Sequence, residues 1–421
     1  MNFRQSGRSR GTLPRMLRSI GPEMISAASD NDPTNVGTAA AVGAQTGFQL
    51  SWVALLVAPL LGVVMTIAAQ VGVVARDDLQ SLTVKRYGQR VAAVLLVSVV
   101  VVNLVTIAVD LQAGAAGMGL LVGVNPRWLV APLGVALVTL LLFGKYAQVA
   151  GLLRFLVLGF LAFGAAAVLA QPNWSTVLKA SLVPALSLRR DQVAGALALL
   201  GTTLTSYVYI WETIGRGVEE PSNGTSDPRG LARARVGAVV GAIFTAAILW
   251  FMLVASAATL GRHHQTVASA QDAALALRPL AGSLAADLFA VGLLASAVVA
   301  LPVLMATTAY VTGAHFDWRR GLSEGIGHAR GFYAVLVASI GLALGVALAN
   351  ISLIGMLVAA SVVGGFGTPI GLVLQVRLAR DPRIMGSQTI SRPLAIAGWA
   401  VAVIVASLGL LLIVSQAAGT L

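Results

Sequence analysis

The sequence predicts an all-α polytopic membrane protein with eleven transmembrane helices, arranged as two inverted five-helix repeats in which helices 1 and 6 are broken. Of its 421 residues, 57% are hydrophobic and only 10% are charged, a balance that excludes a soluble globular chain. Apolar stretches of about 20 residues, each long enough for one helix to cross a bilayer, recur along the chain. No loop is long enough to fold separately, so we expect a single transmembrane domain over residues 1–421.

Eleven apolar stretches, called spans below, are predicted to cross the membrane. The first, over 16–44, contains Pro33, which cannot donate a backbone hydrogen bond and clashes with the preceding turn, so we expect a break at 32–35. The sixth, over 193–218, has hydroxyl side chains near 205–207 that can bond to backbone carbonyls and ease a local unwinding. The other nine spans are predicted at 51–75, 91–121, 128–144, 147–170, 231–260, 284–312, 332–349, 353–376 and 394–414. The connectors at 171–190 and 221–230 are rich in turn-forming residues.

The two interrupted spans are five spans apart. An odd offset places the two halves of the chain in the bilayer in opposite senses, which is the inverted-repeat pattern of secondary transporters. We therefore predict a first repeat over about 16–170, an inverted second repeat over about 191–378, and an extra eleventh helix over about 393–415.

The basic residues of the chain indicate its orientation. Its 28 Lys and Arg residues exceed its 16 Asp and Glu residues, which gives a net charge of +12. The basic residues are scattered between the spans rather than gathered on one face, which argues against a nucleic-acid partner. If the chain crosses the membrane eleven times, most of the Lys and Arg residues fall in segments on the same side of the membrane as the N-terminus. We expect an integral protein of the cell (plasma or inner) membrane, with its N-terminus in the cytoplasm and its C-terminus outside. The sequence indicates no obligate protein partner.

Polar residues that lipid rarely tolerates cluster at the first break. Asp30, Asn31, Asp32 and Asn35 stand in the middle of an apolar stretch, where a charge costs roughly 2.5–3.5 kcal/mol on insertion scales and is usually functional. A broken helix also frees backbone carbonyls, which are tolerated only where they line a cavity or bind something. Carboxylates, amides and carbonyls in a dry site form a cage of hard oxygens, which suits a divalent cation. The first break therefore predicts a site for a metal ion that the chain moves across the membrane.

The sixth span offers a second half of this site. Thr202, Thr205 and Glu212 fall on one face of a continuous helix. We expect the two threonines opposite Asp32 and Asn35, and Glu212 further toward the cytoplasm. An alternative stays open for these side chains, in which they only satisfy backbone groups or bridge helices.

Asp110, in the third span, is another acid inside the membrane. A carboxyl group in this position can relay protons or balance the charge of the site. A structural partnership with a basic or amide group is an equally open alternative.

Several segments stand in register with those of a known family. GPEMISAASDNDPTN presents Asp32-Pro33-Thr34-Asn35, ARDDLQSLTVKRYG follows the second span, and VDLQA, LGTTLTSYVY and ADLFAVGLLASA lie in the third, sixth and eighth. These motifs resemble the Nramp metal transporters, whose first helix carries Asp-Pro-Gly-Asn. The resemblance implies a fold like that of the sodium-coupled leucine transporter, with alternating access around a midplane site. It also implies that Asp32 and Asn35 are metal ligands and that Asp110 takes the place of the acid on the family's proton route.

The sequence departs from that family where ion choice is decided. The family carries Met-Pro-His in its sixth helix, where this chain has Thr205-Ser206-Tyr207, and the second histidine of that helix is Glu212 here. A thioether favours transition metals, so a threonine oxygen in its place, with Asp30 and Glu212 added, makes the site harder and more acidic. This pattern resembles the divergent Nramp-related branch, which includes magnesium transporters that accept a partly hydrated ion.

We therefore expect a divalent metal cation importer that favours Mg²⁺ or Mn²⁺. The missing histidines, and Ala113 at the position of the family's second third-helix acid, argue against proton coupling. The ion is a substrate, so no cofactor is expected, and the partners are this ion and the lipid bilayer. No nucleophile–base pair, zinc-binding HExxH or glycine-rich phosphate loop predicts an enzyme. Two alternatives stay open: an organic-substrate carrier of the same fold, such as an amino acid transporter, and a membrane enzyme or sensor.

Overall fold

The computed structural model describes residues 22–185, 189–219, 228–261, 282–349 and 353–417, and within these ranges the chain is helical, with no β-strand. The helices of the first part are α1 (Pro22–Ser29), α2 (Pro33–Thr46), α3 (Ser51–Ala75), α4 (Leu79–Tyr87), α5 (Gln89–Val122), α6 (Pro126–Phe143), α7 (Tyr146–Leu156), a 3-10 turn (Val157–Phe160), α8 (Leu161–Leu169) and α9 (Trp174–Leu182). The second part comprises α10 (Arg190–Thr203), α11 (Ser206–Ile214), a π-helical turn (Gly215–Glu219), α12 (Pro228–Thr259), α13 (Ser283–His315), α14 (Arg330–Leu348), α15 (Leu353–Arg380), α16 (Pro382–Met385) and α17 (Arg392–Ala417).

Nine helices or runs of adjoining helices in the described ranges are long and apolar enough to cross a membrane. They coincide with the predicted spans two to nine and eleven. The first span is divided into α1 and α2, and α15 occupies the place of the tenth. The predicted all-α architecture is therefore confirmed, while the total of eleven spans and the repeat boundaries stay predictions. Residues 16–21 of the predicted first span lie outside the described ranges.

The two breaks lie slightly before their predicted positions. The first falls at 30–32 rather than 32–35, because Pro33 occupies the first turn of α2, where a missing N–H leaves no hydrogen bond unmade. Pro33 therefore begins a helix instead of interrupting one. The second break falls at 204–205 rather than 205–207, since Ser206 already opens α11.

Two short helices lie in segments expected to be loops. In α4, the first helical turn is capped by Asp78, whose Oδ1 accepts a hydrogen bond from the Ser81 backbone N–H at 2.8 Å. In α9, part of the predicted 171–190 connector, Asn173 Oδ1 accepts from the Thr176 N–H at 3.2 Å. Both helices have nine residues, too few to cross a bilayer, so a search for spans passes over them.

Packing between the two broken spans brings their breaks together. The helix α1 packs against α11, and α2 packs against α10. On the other side of α2 lies α12, and the two approach so closely that a Cβ atom on Gly43 would stand 2.4 Å from the Leu253 carbonyl oxygen. Small residues at such crossings let transmembrane helices pack backbone to backbone. The ends of α1 and α10 and the starts of α2 and α11 therefore lie close together in the interior.

Candidate metal site at the two broken helices

Asp32 shapes the first break. Its backbone is extended, with φ −66° and ψ 164°, and its Oδ1 accepts a hydrogen bond from the Asn35 backbone N–H at 2.8 Å. This N-cap satisfies one of the unpaired donors at the start of α2 and fixes the carboxylate beside the helix terminus. The positive end of the α2 dipole therefore favours a negative charge on Asp32.

Asn35 connects the two breaks. Its Nδ2 donates to the Asp30 carbonyl oxygen at 2.9 Å. Its Oδ1 accepts from the hydroxyls of Thr202 and Thr203, at 3.1 and 3.2 Å, respectively. The structure thus places Thr202 against Asn35, as the sequence predicted, and adds Thr203, which sequence reasoning missed because its spacing departs from the predicted face.

Thr205 makes a second bridge between the breaks. It is the N-cap position of α11, with φ −83° and ψ 149°, and its hydroxyl donates to Asp30 Oδ1 at 3.3 Å. The other carboxylate oxygen, Asp30 Oδ2, is buried and has no hydrogen-bond partner among the described residues. Asp30, Asn31, Asp32 and Asn35 are all at most 2% exposed. A carboxylate oxygen in this position is available to a cation.

Tyr207 also contacts the first break. Its hydroxyl donates to the Ser29 carbonyl oxygen at 2.6 Å and lies 3.1 Å from Asp32 Oδ2. The Ser29 carbonyl is at the end of α1, where helix carbonyls lose their intrahelical donors. In the sequence, Tyr207 stood out only as part of the segment aligned with the family's Met-Pro-His. A tyrosine in the middle of an interrupted span is the feature that could have identified it as a site residue.

The eighth span closes the first break from another side. Ser296 of α13 donates its hydroxyl to the Asn31 carbonyl oxygen. The Asn31 side chain is buried, and neither its Oδ1 nor its Nδ2 has a hydrogen-bond partner within the described ranges. Ser296 was not predicted, since a lone serine in an apolar helix carries no distinguishing pattern.

Asp110, a residue of α5, lies beside the N-terminus of α2. Its Oδ1 accepts from both the backbone N–H and the hydroxyl of Thr34, at 3.1 and 2.9 Å. The side chain is fully buried, and Oδ2 has no hydrogen-bond partner in the described part of the chain. The structure therefore places this acid directly beside the Asp32-Pro33-Thr34-Asn35 motif, although 76 residues separate Asp110 from Thr34.

Glu212 lies with a different set of charges. Its Oε2 accepts from the Ser26 hydroxyl at 2.7 Å, and its Oε1 is 3.9 Å from Arg216 Nε. Arg216 also pairs with Glu23 of α1. The structure thus places Glu212 of α11 in a buried ionic cluster that joins the sixth span to α1.

The kinds of oxygen atom at the two breaks determine which metal ions could bind there. Among the described residues, no three His, Cys, Asp or Glu side chains form a metal-binding group. A cation here would instead take amide, hydroxyl and carbonyl oxygens besides carboxylates, the donor set of hard ions such as Mg²⁺, Ca²⁺ and Mn²⁺.

Comparison with known proteins identifies relatives of this chain. A model of the family described as natural resistance-associated macrophage protein-like, Nramp, matches residues 23–415. The divalent metal cation transporter MntH of Aeromonas hydrophila is 29% identical over 290 residues, covering 67% of this chain and 70% of that protein. A mutant of the Eremococcus coleocola manganese transporter superposes with a TM-score of 0.76 at 19% identity, covering 99% of this chain and 90% of that one. Mhp1, a nucleobase-cation-symport-1 family transporter, superposes with a TM-score of 0.62 at 16% identity, covering 93% and 90%.

These likenesses confirm the predicted fold class, that of Nramp proteins and transporters related in fold to the sodium-coupled leucine transporter. They also confirm that the chain is a transporter rather than an enzyme. Since the family model covers nearly the whole sequence, the chain belongs to the Nramp family of integral membrane transporters.

Proposed function

We propose that this protein imports divalent metal cations by alternating access, with the ion bound between the two helix breaks. The ligands in this proposal are Asp32, Asn35, Asp30, Thr202 and Thr205. The observation that carries it is the pair of contacts across the breaks, Thr202 to Asn35 and Thr205 to Asp30. The ion is the substrate, and the transporter needs no cofactor.

The two hydroxyls that donate to Asn35 each have an alternative partner that lets them yield to an ion. The Thr202 hydroxyl lies 2.9 Å from the Ala198 carbonyl oxygen, and that of Thr203 lies 2.6 Å from the Leu199 carbonyl oxygen. A hydroxyl has one proton, so rotation toward its own helix releases Asn35 Oδ1 and turns the oxygen lone pairs toward the break. A cation can therefore replace these hydrogen bonds without leaving a buried donor unpaired.

The proposed ion preference follows from ligand hardness. Every ligand in the set is an oxygen, and the chain has no cysteine. Such sites favour Mg²⁺ and Mn²⁺ over softer ions. Two of the proteins named above, from Aeromonas hydrophila and Eremococcus coleocola, are a divalent metal cation transporter and a manganese transporter, which supports the ion class.

Glu212 is left out of the proposed ligand set and given a role in closing the transport path. Its cluster with Ser26, Glu23 and Arg216 joins α1 to the far half of the sixth span. A Cβ on Gly237 would stand 2.8 Å from the Glu23 carboxyl carbon, so α12 covers this cluster closely. In alternating access, α1 must move away from α11 when the transport path opens on the side of the membrane where this cluster lies. That movement must separate the charges of the cluster.

Asp110 balances charge in this proposal. Its contact with Thr34 holds a carboxylate at the first break, where it reduces the energy needed to hold a dication in a dry site. We further propose that transport is not obligatorily coupled to protons, and that the N-terminus is cytoplasmic.

Uptake into proteoliposomes tests the function. Mg²⁺, Mn²⁺, Ca²⁺ and Cd²⁺ are supplied in turn to the wild type, to Asp32→Asn and to the matched control Asp317→Asn, which alters an exposed acid in a loop. The proposal predicts saturable uptake of Mg²⁺ or Mn²⁺ that is abolished in Asp32→Asn and retained in the control. Wild-type rates in Asp32→Asn would overturn it, and uptake of an amino acid without metal would favour the organic-substrate carrier.

A further inference from the structure

A basic cleft lies outside the metal site, where several helices end. The long helix α3 ends at Ala75 and is followed by the short α4, while the short α16 connects α15 to α17. Between α4 and α16 the surface opens into a cleft of about 440 Å³. Its lining residues are Ala75, Leu82, Lys85, Arg86, Arg383 and Ile384.

Two acids hold the cations of the cleft in place. Lys85 Nζ lies 2.6 Å from Asp77 Oδ2, and Arg86 pairs with Asp381. The hydrogen bond from Arg86 lowers the pKa of Asp381 below its ordinary value, so this pair stays ionised at neutral pH. Asp381 also accepts from the Arg383 backbone N–H at 2.9 Å, which sets the start of α16 and the position of Arg383. The two acids thus place Lys85 and Arg86 beside the cleft, and the start of α16 places Arg383 in its lining.

The cleft has a charged half and an apolar half. Lys85 and Arg86 remain 70% and 37% exposed despite their ion pairs, so their charges are open to a ligand. Leu82 and Ile384 supply the apolar wall, next to the end of a membrane-crossing helix. A free phosphate ion would use only the charged half, whereas a phospholipid presents a phosphate and an acyl chain side by side.

We propose that this cleft binds an acidic phospholipid, with the headgroup phosphate against Lys85 and Arg383 and the acyl chain against Leu82 and Ile384. Arginine and lysine both bind phosphate, arginine with a planar fork and lysine as a point charge. Basic pockets between transmembrane helices on the cytoplasmic side bind anionic headgroups, and each Lys or Arg near the surface adds to the attraction.

Lipid binding to the purified transporter tests this proposal. Native mass spectrometry counts bound phosphatidylglycerol and phosphatidylcholine on the wild type, on Arg383→Gln, on Ile384→Ser and on the control Arg377→Gln. Arg377 is an exposed arginine of α15 outside the lining of the cleft. We expect the wild type to retain phosphatidylglycerol in preference to phosphatidylcholine, a loss of several-fold in Arg383→Gln and in Ile384→Ser, and little change in Arg377→Gln.

Four results would overturn the proposal. Equal retention of the two lipids would remove the charge requirement, and an equal loss in Arg377→Gln would indicate diffuse surface attraction instead of a cleft. Displacement of the lipid by millimolar inorganic phosphate, with Ile384→Ser unchanged, would assign the cleft to a free phosphate ion. Thermal unfolding of the wild type with each lipid gives the same comparison without any variant: phosphatidylglycerol should raise the Tm more than phosphatidylcholine, and equal shifts would contradict the assignment.

Discussion

The Thr202 hydroxyl lies 3.1 Å from Asn35 Oδ1, and this contact joins the two interrupted spans beside the break in each. The two residues are 167 positions apart in the chain. A side-chain amide of the first span and a hydroxyl of the sixth therefore face the same point in the interior. A change at either break should consequently alter ion binding as well as helix packing.

Thr205→Met should change the ion preference. It replaces a hard hydroxyl at the second break with a soft thioether, which should raise uptake of Cd²⁺ relative to Mg²⁺. The measurement is competitive uptake of the two ions into proteoliposomes. Thr176→Met, at an exposed position of α9, is the matched control and should retain the wild-type ranking. An unchanged ranking in Thr205→Met would count against Thr205 as a ligand.

Tyr207→Phe should weaken ion binding. The change removes the hydroxyl that donates to Ser29 and faces Asp32, and loss of a group that orients a metal ligand typically lowers metal affinity about 10–100-fold. The apparent KM for Mn²⁺ uptake reports this effect.

Tyr209→Phe is the control for that experiment. Its hydroxyl donates to the Thr368 carbonyl oxygen at 3.1 Å, a contact between α11 and α15. Its removal should lower the Tm, since an unpaired buried polar group costs about 1–3 kcal/mol, while the KM stays near the wild-type value. Similar KM values in the two variants would remove Tyr207 from the site.

Glu23→Gln should favour the state in which α1 has moved away from α11. Removing one partner of a buried ion pair destabilises its contact by roughly 3–5 kcal/mol, and Glu23 and Arg216 are only 3% and 20% exposed. Because the chain has no cysteine, a single Ala27→Cys reporter on α1 can be labelled by a thiol reagent without background. We expect faster labelling of this buried position in the Glu23→Gln background.

Arg189→Gln provides the control for that labelling experiment. It breaks the exposed Arg189–Asp191 pair, whose side chains are 71% and 35% exposed. Exposed pairs contribute about 1 kcal/mol or less, so labelling of Ala27→Cys should stay slow. Equal labelling rates in the wild type and Glu23→Gln would show that the Glu23–Arg216 pair does not hold the path closed.

Asp110→Asn distinguishes charge balance from proton relay. The variant retains an oxygen that can accept from Thr34 but removes the charge, so Mn²⁺ uptake should fall by more than about tenfold, since losing one partner of a buried charge interaction costs roughly 2–5 kcal/mol. A pH dye inside the vesicles should record no acidification in step with uptake by the wild type. Acidification that accompanies wild-type uptake and disappears in Asp110→Asn would assign Asp110 to a proton route.

Helix positions could be predicted from the sequence because length and hydropathy determine them. The predicted 51–75 helix matches Ser51–Ala75, and the third and eighth spans differ from prediction by at most three residues at each end. The breaks were misplaced by one to three residues. In the first, Pro33 was expected to interrupt a helix that it in fact begins. The short helices α4 and α9 depend on caps by Asp78 and Asn173, whose effect on a few residues is weaker than the signal of a span.

Prediction of the site was limited by contacts between distant segments. The acids and amides at the first break stood out because they are rare in lipid, and the face of Thr202 was correctly oriented toward Asn35. The contacts of Tyr207 and Ser296 depend on how helices rotate about their axes, which one sequence does not determine. Glu212 shares the predicted helical face, but the break at 204–205 separates α11, which carries it, from the helix that carries Thr202, and it pairs with Arg216.

The most direct test of the site is an anomalous difference map from crystals grown with Mn²⁺. We predict one strong peak between the breaks, at roughly 2.0–2.6 Å from oxygens of Asp32 and Asn35, and no such peak in Asp32→Asn. A manganese peak elsewhere in the molecule, with none between the first and sixth spans, would contradict it.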